Sequence, residues 1–258
     1  VQKIGICKVK GDKILEVNKV TAIAGKGLVN DRKYKDNNHK LSQITLIEIE
    51  NIIQYNKSIK IYFYRHSKTK LNDKSFLGQL RDPEIIVGQK KTISLNKSDI
   101  VFCSSLKRSK QTSYYHFKNK RINIDKRLDE INYGHAEGLN INDFKSKYNN
   151  IFKKWMKGID ARFPNGENYL EVSIRLSKFC EDLIKKINLN KNNYIIITHN
   201  VVLRTLIGKH FKIPKKLWFR IRIKHLDKLE FIFYNNNIIP NISRNKLKYM
   251  MRDILKNK

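Results

Sequence analysis

The stretch Ile61-Tyr62-Phe63-Tyr64-Arg65-His66-Ser67-Lys68-Thr69 passes abruptly from apolar and aromatic residues to cations, an imidazole and two hydroxyls. A short run of β-branched and aromatic residues predicts a buried strand. Ligands of open α/β sheets bind just beyond the carboxyl ends of the strands. Arg65, His66 and Thr69 are therefore predicted to lie where a ligand binds.

A second stretch, Tyr194-Ile195-Ile196-Ile197-Thr198-His199-Asn200, repeats this arrangement of an apolar strand that ends in a histidine. A single histidine beside a strand is more often a packed structural residue than a catalyst. Two histidines at strand ends in one small domain indicate one shared site, because the carboxyl ends of parallel strands meet at the same edge of a sheet.

The chain has 258 residues, of which 40% are hydrophobic, and this is enough to build a substantial core. No apolar run approaches the roughly 20 residues that span a bilayer, and Val1-Gln2-Lys3-Ile4-Gly5 lacks the apolar centre of a signal peptide. We therefore expect a cytoplasmic protein with no membrane partner. A homodimer is left open.

The formal net charge is +31. Lysine and arginine patches bind phosphate backbones, but here the lysines are scattered through nearly every segment together with asparagine and isoleucine. This distribution indicates a compositional bias, so nucleic acid is not the expected partner. A positive field also attracts small phosphorylated anions.

From Lys60 onward, predicted strands alternate with predicted helices, which favours an α/β fold with helices on both faces of a mainly parallel sheet. Strands are expected at 99–103, 194–198, 220–224 and 229–234, and helices at 84–95, 106–117, 140–155 (one or two), 176–187, 201–211 and 244–255. The last is a basic amphipathic helix. Ser104 or Ser105 is expected to cap the helix that starts at 106, which places Arg108 in its first turn, where free N–H groups favour an anion.

Five blocks in order resemble motifs of the histidine phosphatase superfamily, which is also called phosphoglycerate-mutase-like. They are Arg65-His66-Ser67-Lys68-Thr69 with Asn72; Ser104-Ser105-Leu106-Lys107-Arg108 with Gln111-Thr112; Leu128 to Gly138; Gly166-Glu167-Asn168; and Thr198-His199. The resemblance covers about residues 59–235 and implies a three-layer α/β/α fold. Ser67 and Asn200 replace glycines that follow the two histidines, and Ser105 replaces a proline.

Phosphoryl transfer needs a positioned nucleophile, cations around the phosphoryl oxygens and an acid for the leaving oxygen. The resemblance implies that His66 is the nucleophile, that Glu130 rather than Asp129 or Glu137 is the proton donor, and that His199 donates to the phosphoryl group. The expected phosphate-binding residues are Arg65, Arg108, Asn72 and Thr69. Because arginines fill the cation role, no metal or cofactor is expected.

Residues 1–58 alternate short β-like runs with turns and resemble the opening half of a MOSC domain. The matching residues are Gly25, Gly27, Leu28, Asp31 and Arg32, followed by Ile44-Thr45-Leu46-Ile47 with Glu50. The second half of such a domain, with its cysteine, has no counterpart. We therefore expect a truncated, structural module at 1–58, followed by the phosphatase-like domain at 59–258.

Three functions fit the sequence. The first is a metal-independent phosphomonoesterase that hydrolyses a small phosphorylated metabolite through a phosphohistidine. The second is a mutase of the same fold, and the third is a weakly active regulatory protein that binds phosphate or a polyanion. Only a compact stretch, 138–166, separates the acidic block from the Gly166-Glu167-Asn168 turn. This favours the phosphatase, because a mutase has to shield its phosphoenzyme from water.

Overall fold

The computed structural model describes residues 59–72, 75–88, 93, 99–190 and 192–255, together with four short strands nearer the N-terminus. Val1–Ser58 and Ile59–Lys258 form separate compact units. In the first unit, strands β1 (Ile4–Ile6) and β2 (Leu15–Val17) pair antiparallel, as do β3 (Ala22–Ile23) and β4 (Gly27–Leu28). Most residues that suggested a MOSC domain, including Asp31, Arg32 and 44–50, lie outside the described residues.

The second unit is built on a mixed sheet of six strands. The strands are β5 (Lys60–Arg65), β6 (Ile100–Cys103), β7 (Ile122–Ile124), β8 (Tyr194–Thr198), β9 (Lys228–Tyr234) and β10 (Asn237–Pro240), in the order β10-β9-β5-β8-β6-β7. The four strands β5, β8, β6 and β7 run parallel, while β9 and β10 are antiparallel additions at one edge. The predicted α/β class with a mainly parallel sheet is confirmed.

Seven α-helices accompany this sheet in the described part of the chain. They are α1 (Lys107–His116), α2 (Ile141–Lys147), α3 (Asn149–Met156), α4 (Tyr169–Asn190), α5 (Asn200–His210), α6 (Arg244–Met250) and α7 (Arg252–Leu255). Short 3₁₀ helices cover Lys126–Leu128, Gly134–Ala136 and Lys215–Arg220. No helix among the described residues is both long and apolar enough to span a bilayer.

The period-two alternation of the central strands divides the core into two layers. Phe63 and Ile196 point into the larger cluster, which α4 and α5 cover with residues such as Phe179 and Leu203. Their strand neighbours, such as Ile197, point into a smaller cluster on the opposite face, which is completed by Phe117 at the end of α1. The expected three-layer arrangement follows from this alternation.

The prediction of a helix at 84–95 is wrong for those residues of this range that the structure describes. Ile85 instead forms an isolated antiparallel bridge with Thr69. The backbone N–H of Ile85 donates to the Gln111 side chain at 3.0 Å, and that of Ile86 donates to the Lys68 carbonyl at 2.8 Å. These groups are therefore committed to neighbouring segments, which leaves them unavailable for helical bonds.

The prediction of a single C-terminal helix at 244–255 is also wrong. The helix is interrupted at Met251, so that two helices, α6 and α7, cover this range. The carbonyl of Met250 accepts a hydrogen bond from the backbone N–H of Arg222 at 3.0 Å. Arg222 is then held to α7 by an ion pair with Asp253. The bond from the Arg222 N–H to the Met250 carbonyl also explains why 220–224 is not a strand. This N–H bonds to the C-terminal helix, whereas the N–H of a strand residue would bond to the sheet.

Candidate active site

His66 and His199 follow two strands that are adjacent in the sheet. Arg65, the last residue of β5, is in register with Thr198, the last residue of β8. The backbone N–H of His66 donates to the Thr198 carbonyl at 2.9 Å, and the two imidazole rings lie 5.0 Å apart between centroids. The two predicted histidines therefore share one site, at the carboxyl edge of the parallel strands.

The His66 ring is held in one tautomer. Its Nδ1 lies 2.6 Å from the carbonyl oxygen of Ser67, an atom that only accepts hydrogen bonds. Nδ1 must therefore carry a proton, and in the neutral ring Nε2 keeps its lone pair. Burial, and then the charges of Arg108 and Arg65, lower the pKa of His66 well below its ordinary value. The ring is thus neutral and nucleophilic at physiological pH.

Arg108 is completely buried in the first turn of α1. Its Nη2 donates to the Gly78 carbonyl at 2.8 Å, and its Nη1 lies 3.1 Å from the carboxylate of Asp82. Its Nε is buried and has no hydrogen-bond partner in the described part of the chain. A buried donor of this kind favours an incoming acceptor such as a phosphoryl oxygen.

The N-terminus of α1 differs from the expectation that Ser104 or Ser105 caps it. The cap is the Asp82 carboxylate, which accepts from the backbone N–H groups of Lys107 and Arg108. The anion expected at this helix terminus is thus supplied by the protein itself. Sequence reasoning missed Asp82 because it lies 26 positions before Arg108 in an irregular loop.

His199 is also fully buried and lies next to Ser104, with 2.6 Å between Nε2 and the hydroxyl oxygen. That oxygen already accepts from the Leu106 N–H at 3.3 Å, so its own hydrogen is available for His199 Nε2. The ring then carries its proton on Nδ1, which has no partner among the described residues. Burial, followed by Arg108, lowers the pKa of His199 well below its ordinary value. His199 is therefore a neutral donor beside His66.

The side chain of Glu130 is almost fully buried. Its carboxyl oxygens accept from the backbone N–H groups of Ile131 at 3.1 Å, Val201 at 3.0 Å and Asn200 at 3.1 Å. Burial raises the pKa of Glu130 even though Arg108 and these bonds oppose the shift. A carboxyl with a raised pKa holds a proton that it can give to a leaving oxygen.

The other two carboxyl groups of the acidic block hold loops in place. Asp129 accepts from both the backbone N–H and the hydroxyl of Ser105, each at 2.7 Å. Glu137 accepts from three backbone N–H groups of the 78–81 segment. Glu130 is the carboxyl of the block that bonds to the segment directly after His199, through the N–H groups of Asn200 and Val201.

The loop that carries Glu130 is fixed by the Gly166-Glu167-Asn168 turn. Glu167 accepts from the Asn132 N–H at 2.8 Å and pairs with Arg175, whose guanidinium donates to the Glu130 carbonyl at 3.2 Å. Gly134 has a φ of 51°, and a Cβ there would collide with the carbonyl of Pro164. Only glycine lets the two segments approach this closely.

Thr69 and Asn72 are bonded to each other. Asn72 Oδ1 accepts from the Thr69 backbone N–H at 2.7 Å and from its hydroxyl at 2.9 Å. The hydroxyl hydrogen of Thr69 is therefore already donated to Asn72. A hydrogen bond from Asn72 to a phosphate would come from its side-chain amide nitrogen. Arg65 Nη1 donates to the Ile223 carbonyl at 2.7 Å, which anchors its guanidinium at the end of β5. The phosphate-binding roles of these three residues stay predictions.

A third histidine at the site was missed. The His225 ring centroid lies 5.3 Å from that of His66, and its Nδ1 lies 3.0 Å from the His66 carbonyl oxygen. His225 is 159 positions away in the chain and precedes β9, so only the pairing of β9 with β5 brings it to the site. No local pattern in the sequence signals it.

The three departures from the family motifs cause no backbone strain. Ser67 and Asn200 both have negative φ, and the buried N–H of Ser67 donates to Thr112 Oγ1 at 2.9 Å. Ser105 donates its backbone N–H to Asp129, a bond that the proline of the motif could not make. Among the described residues, no group of three or more His, Cys, Asp or Glu side chains could hold a metal ion.

Comparisons with known proteins agree with this geometry. The family model of the histidine phosphatase superfamily (branch 1) matches residues 61–238. Fructose-2,6-bisphosphatase of Saccharomyces cerevisiae is 31% identical over 157 residues, which are 57% of this chain but only 33% of that protein. Phosphoserine phosphatase 1 of Hydrogenobacter thermophilus is 25% identical over 158 residues, or 57% of this chain and 74% of that protein.

Among solved structures, phosphoserine phosphatase of Entamoeba histolytica, in complex with 3-phosphoglyceric acid, has a similar fold. The TM-score is 0.60 with 18% identity, over 73% of this chain and 99% of that chain. The match confirms the expected phosphoglycerate-mutase-like fold. The MOSC resemblance predicted for residues 1–58 is not supported by these comparisons, whose family match covers residues 61–238.

The match covers more than half of the chain and includes every block that carries His66, Arg108, Glu130 and His199. For the matched region, the predicted class of phosphoric monoester hydrolase is confirmed by the family and by the phosphatases among its relatives. The chain belongs to branch 1 of the histidine phosphatase superfamily.

Proposed function

We propose that this chain is a metal-independent phosphomonoesterase that hydrolyses a small phosphorylated metabolite through a phosphohistidine at His66. The observation that carries the proposal is the contact between His66 Nδ1 and the Ser67 carbonyl. It fixes the tautomer that leaves Nε2 with a lone pair, while burial and two arginines keep the ring neutral. A neutral imidazole with a defined nucleophilic nitrogen is what transfer to nitrogen requires.

In the first step, the lone pair of His66 Nε2 forms a bond to phosphorus as the bond from phosphorus to the ester oxygen breaks. Glu130 gives its proton to that oxygen, and the alcohol leaves. Arg65, Arg108 and His199 Nδ1 stabilise the charge on the three remaining phosphoryl oxygens. The unpartnered Arg108 Nε and His199 Nδ1 support this assignment.

In the second step, water attacks phosphorus and the bond to His66 Nε2 breaks. The Glu130 carboxylate takes a proton from that water, and inorganic phosphate leaves. Glu130 is thereby protonated again, and His66 returns to the neutral form in which it started. The raised pKa of Glu130 supports its use first as an acid and then as a base.

The test is covalent labelling. Brief incubation with a ³²P-labelled phosphate monoester, followed by denaturing quench, should leave label on the protein that survives base and is lost in acid. The label should vanish in His66→Ala and persist in His210→Ala, which changes an exposed histidine at the end of α5. Label that survives His66→Ala would contradict the proposal.

A mutase of the same fold is the second candidate, and the length of the 138–166 stretch bears on it. In this stretch α2 and α3 are short, with seven and eight residues. A compact cover shields a phosphohistidine from water less than a long insertion would, which supports hydrolysis over transfer. Product analysis with and without a chelator separates the two: free phosphate is expected, and dominant transfer to a second substrate hydroxyl would favour the mutase. Absence of any turnover would favour the polyanion-binding alternative.

A further inference from the structure

An apolar cavity of about 380 Å³ lies among α2, α3, the start of α4 and α5. Its walls are largely aromatic and include Phe76, Tyr133, Phe152, Trp155 and Phe163. The Trp155 and Phe163 rings lie 4.6 Å apart between centroids, so these side chains form a packed wall. A volume of this size is typical of sites for ligands of drug-like size, and far exceeds what a small polar alcohol fills.

The rim of the cavity is open to solvent and carries four large apolar side chains beside two exposed lysines, Lys215 and Lys216. Ile141, Met156, Ile159 and Phe219 all belong to it, and each side chain is about half exposed. Large apolar side chains gathered at one opening in this way mark a surface that a ligand or partner covers. The rim therefore favours an apolar occupant.

The cavity adjoins the proton donor of the proposed reaction. Ile131 and Val201 both line it, and the backbone N–H groups of the same two residues hold the Glu130 carboxyl at 3.1 and 3.0 Å. The Glu130 carboxyl thus lies one hydrogen bond from the backbone of two residues that line the cavity, while Glu130 and His66 do not themselves line it.

Two cations in the wall, Arg204 and Lys216, have no acidic partner among the described residues, and Arg204 is the one that the structure anchors. Arg204 donates its Nε to the Ile221 carbonyl at 2.9 Å, which leaves its two terminal nitrogens for other groups. Lys215, also in the wall, is already paired with Asp160 at 3.1 Å. Arg204 therefore selects an anionic group on the occupant.

We propose that this cavity binds the leaving group of the substrate, and that the substrate is the phosphate monoester of an alcohol with a large aromatic body and one acidic substituent. This inference rests on the proposed phosphatase function. It distinguishes the chain from an enzyme for small polyanionic esters, because an aromatic wall offers such esters few hydrogen-bond partners. The acidic substituent meets Arg204, and the aromatic body lies against the wall that contains Trp155 and Phe163.

The experiment compares esters whose leaving groups have the same intrinsic reactivity. Ethyl phosphate and 2-(2-naphthyl)ethyl phosphate release alcohols of similar acidity, so their ratio of kcat/KM reports binding of the aromatic body. Burial of the naphthyl group should favour the larger ester by roughly 10²-fold or more. A carboxylate on the far ring should add a further preference, of roughly 5-fold or more, that Arg204→Gln removes.

Variants locate the effect. Ile159→Glu, which places a charge at the rim, should lower the naphthyl-to-ethyl ratio at least tenfold. Leu189→Glu is the matched control: Leu189 is even more exposed, lies outside the cavity, and its variant should keep both the rate and the ratio. A ratio near one in the parent chain would overturn the proposal, as would an equal fall in the ratio in both variants.

A binding measurement separates this inference from the proposed reaction. Trp155 is one of two tryptophans, so 2-(2-naphthyl)ethanol in the cavity should change the protein fluorescence of His66→Ala, which cannot form a phosphohistidine. Binding without hydrolysis of any ester by the parent would overturn the phosphatase and leave the cavity as a ligand site. Hydrolysis of both esters, with no binding of 2-(2-naphthyl)ethanol and no preference for the naphthyl ester, would overturn the cavity assignment alone. A dimer in solution whose second copy covers the rim would also overturn it.

Discussion

Asp82 bonds to Arg108 at both the backbone and the side chain. One carboxylate oxygen lies 3.3 Å from the backbone nitrogen of Arg108 and 3.1 Å from its Nη1. The second oxygen accepts from the Lys107 N–H in the same turn. One carboxylate thus caps α1 and orients the guanidinium that the proposed reaction uses.

The first prediction is that Asp82→Ala weakens both stability and catalysis. Loss of the cap should lower the free energy of unfolding by about 1 kcal/mol, and a guanidinium that is no longer oriented should lower kcat/KM by roughly 10- to 100-fold. Denaturant unfolding and steady-state kinetics measure the two effects. Asp82→Asn keeps an oxygen for the helix N–H groups, so it should recover much of the stability but not the ion pair. Full activity in Asp82→Ala would show that Arg108 needs no orienting partner.

The second prediction concerns the identity of the acid. Glu130→Gln should lower kcat/KM by roughly 10²-fold or more with alkyl phosphates, whose leaving oxygens need a proton, and much less with 4-nitrophenyl phosphate. Asp129→Asn serves as the control, because Asp129 is bonded to Ser105 and should show no such dependence on the leaving group. The same loss with both ester types in Glu130→Gln would argue against an acid role.

The third prediction is a bell-shaped dependence of kcat/KM on pH. His66 has to be neutral, so activity is lost as pH falls through its pKa, which burial and Arg108 place well below the ordinary value. Glu130 has to be protonated, so activity is lost as pH rises through its pKa, which burial raises. Because the two shifts run in opposite directions, the active pair of protonation states is most populated at mildly acidic pH.

The Glu130→Gln variant tests the assignment of the alkaline limb. An amide does not titrate, so this limb should disappear while the acidic limb of His66 remains. An alkaline limb that is unchanged in Glu130→Gln would assign it to another group.

The fourth prediction is that Ser104 positions the proton of His199. Ser104→Ala removes the hydroxyl that lies 2.6 Å from His199 Nε2, so the ring loses its fixed tautomer. We expect kcat to fall roughly tenfold with little change in KM, since the affected bond acts on the phosphoryl group during transfer. Ser113→Ala removes an equally buried hydroxyl, which bonds to the Ser109 carbonyl at 3.0 Å, and should leave kcat unchanged. Equal effects of the two variants would show a purely structural role.

The sequence predicted the parts of the site that come from strand ends and from the acidic block. His66 and His199 follow short apolar runs, and such runs identify the central strands of a sheet from local pattern alone. Asp82 and His225 could not be found in this way. Asp82 lies in a loop with no periodicity, and His225 reaches the site only through the pairing of β9 with β5.

One missed element did carry a local signal. Asn235 and Asn236 both have positive φ, 45° and 57°, and they join β9 to β10 in a two-residue turn. Asparagine is one of the residues that favour this kind of hairpin turn. The break between α6 and α7 carried no such signal, because it depends on the bond from Arg222 to the Met250 carbonyl, across 28 positions of the chain.

The position of β5 in the sheet has a consequence for how the protein is made. In the sheet, β5 pairs with β8 and β9, both of which lie more than 120 residues later in the chain. A ribosome therefore releases Ile61 and Phe63 long before the strands that pair with β5 exist, and contacts so distant in sequence form slowly. Until then, the unfinished polypeptide exposes β5 as an unpaired apolar strand, which is prone to aggregation unless a chaperone shields it. His66 and His199 come together only when β5 has paired with β8. The appearance of activity during refolding would therefore report completion of the sheet.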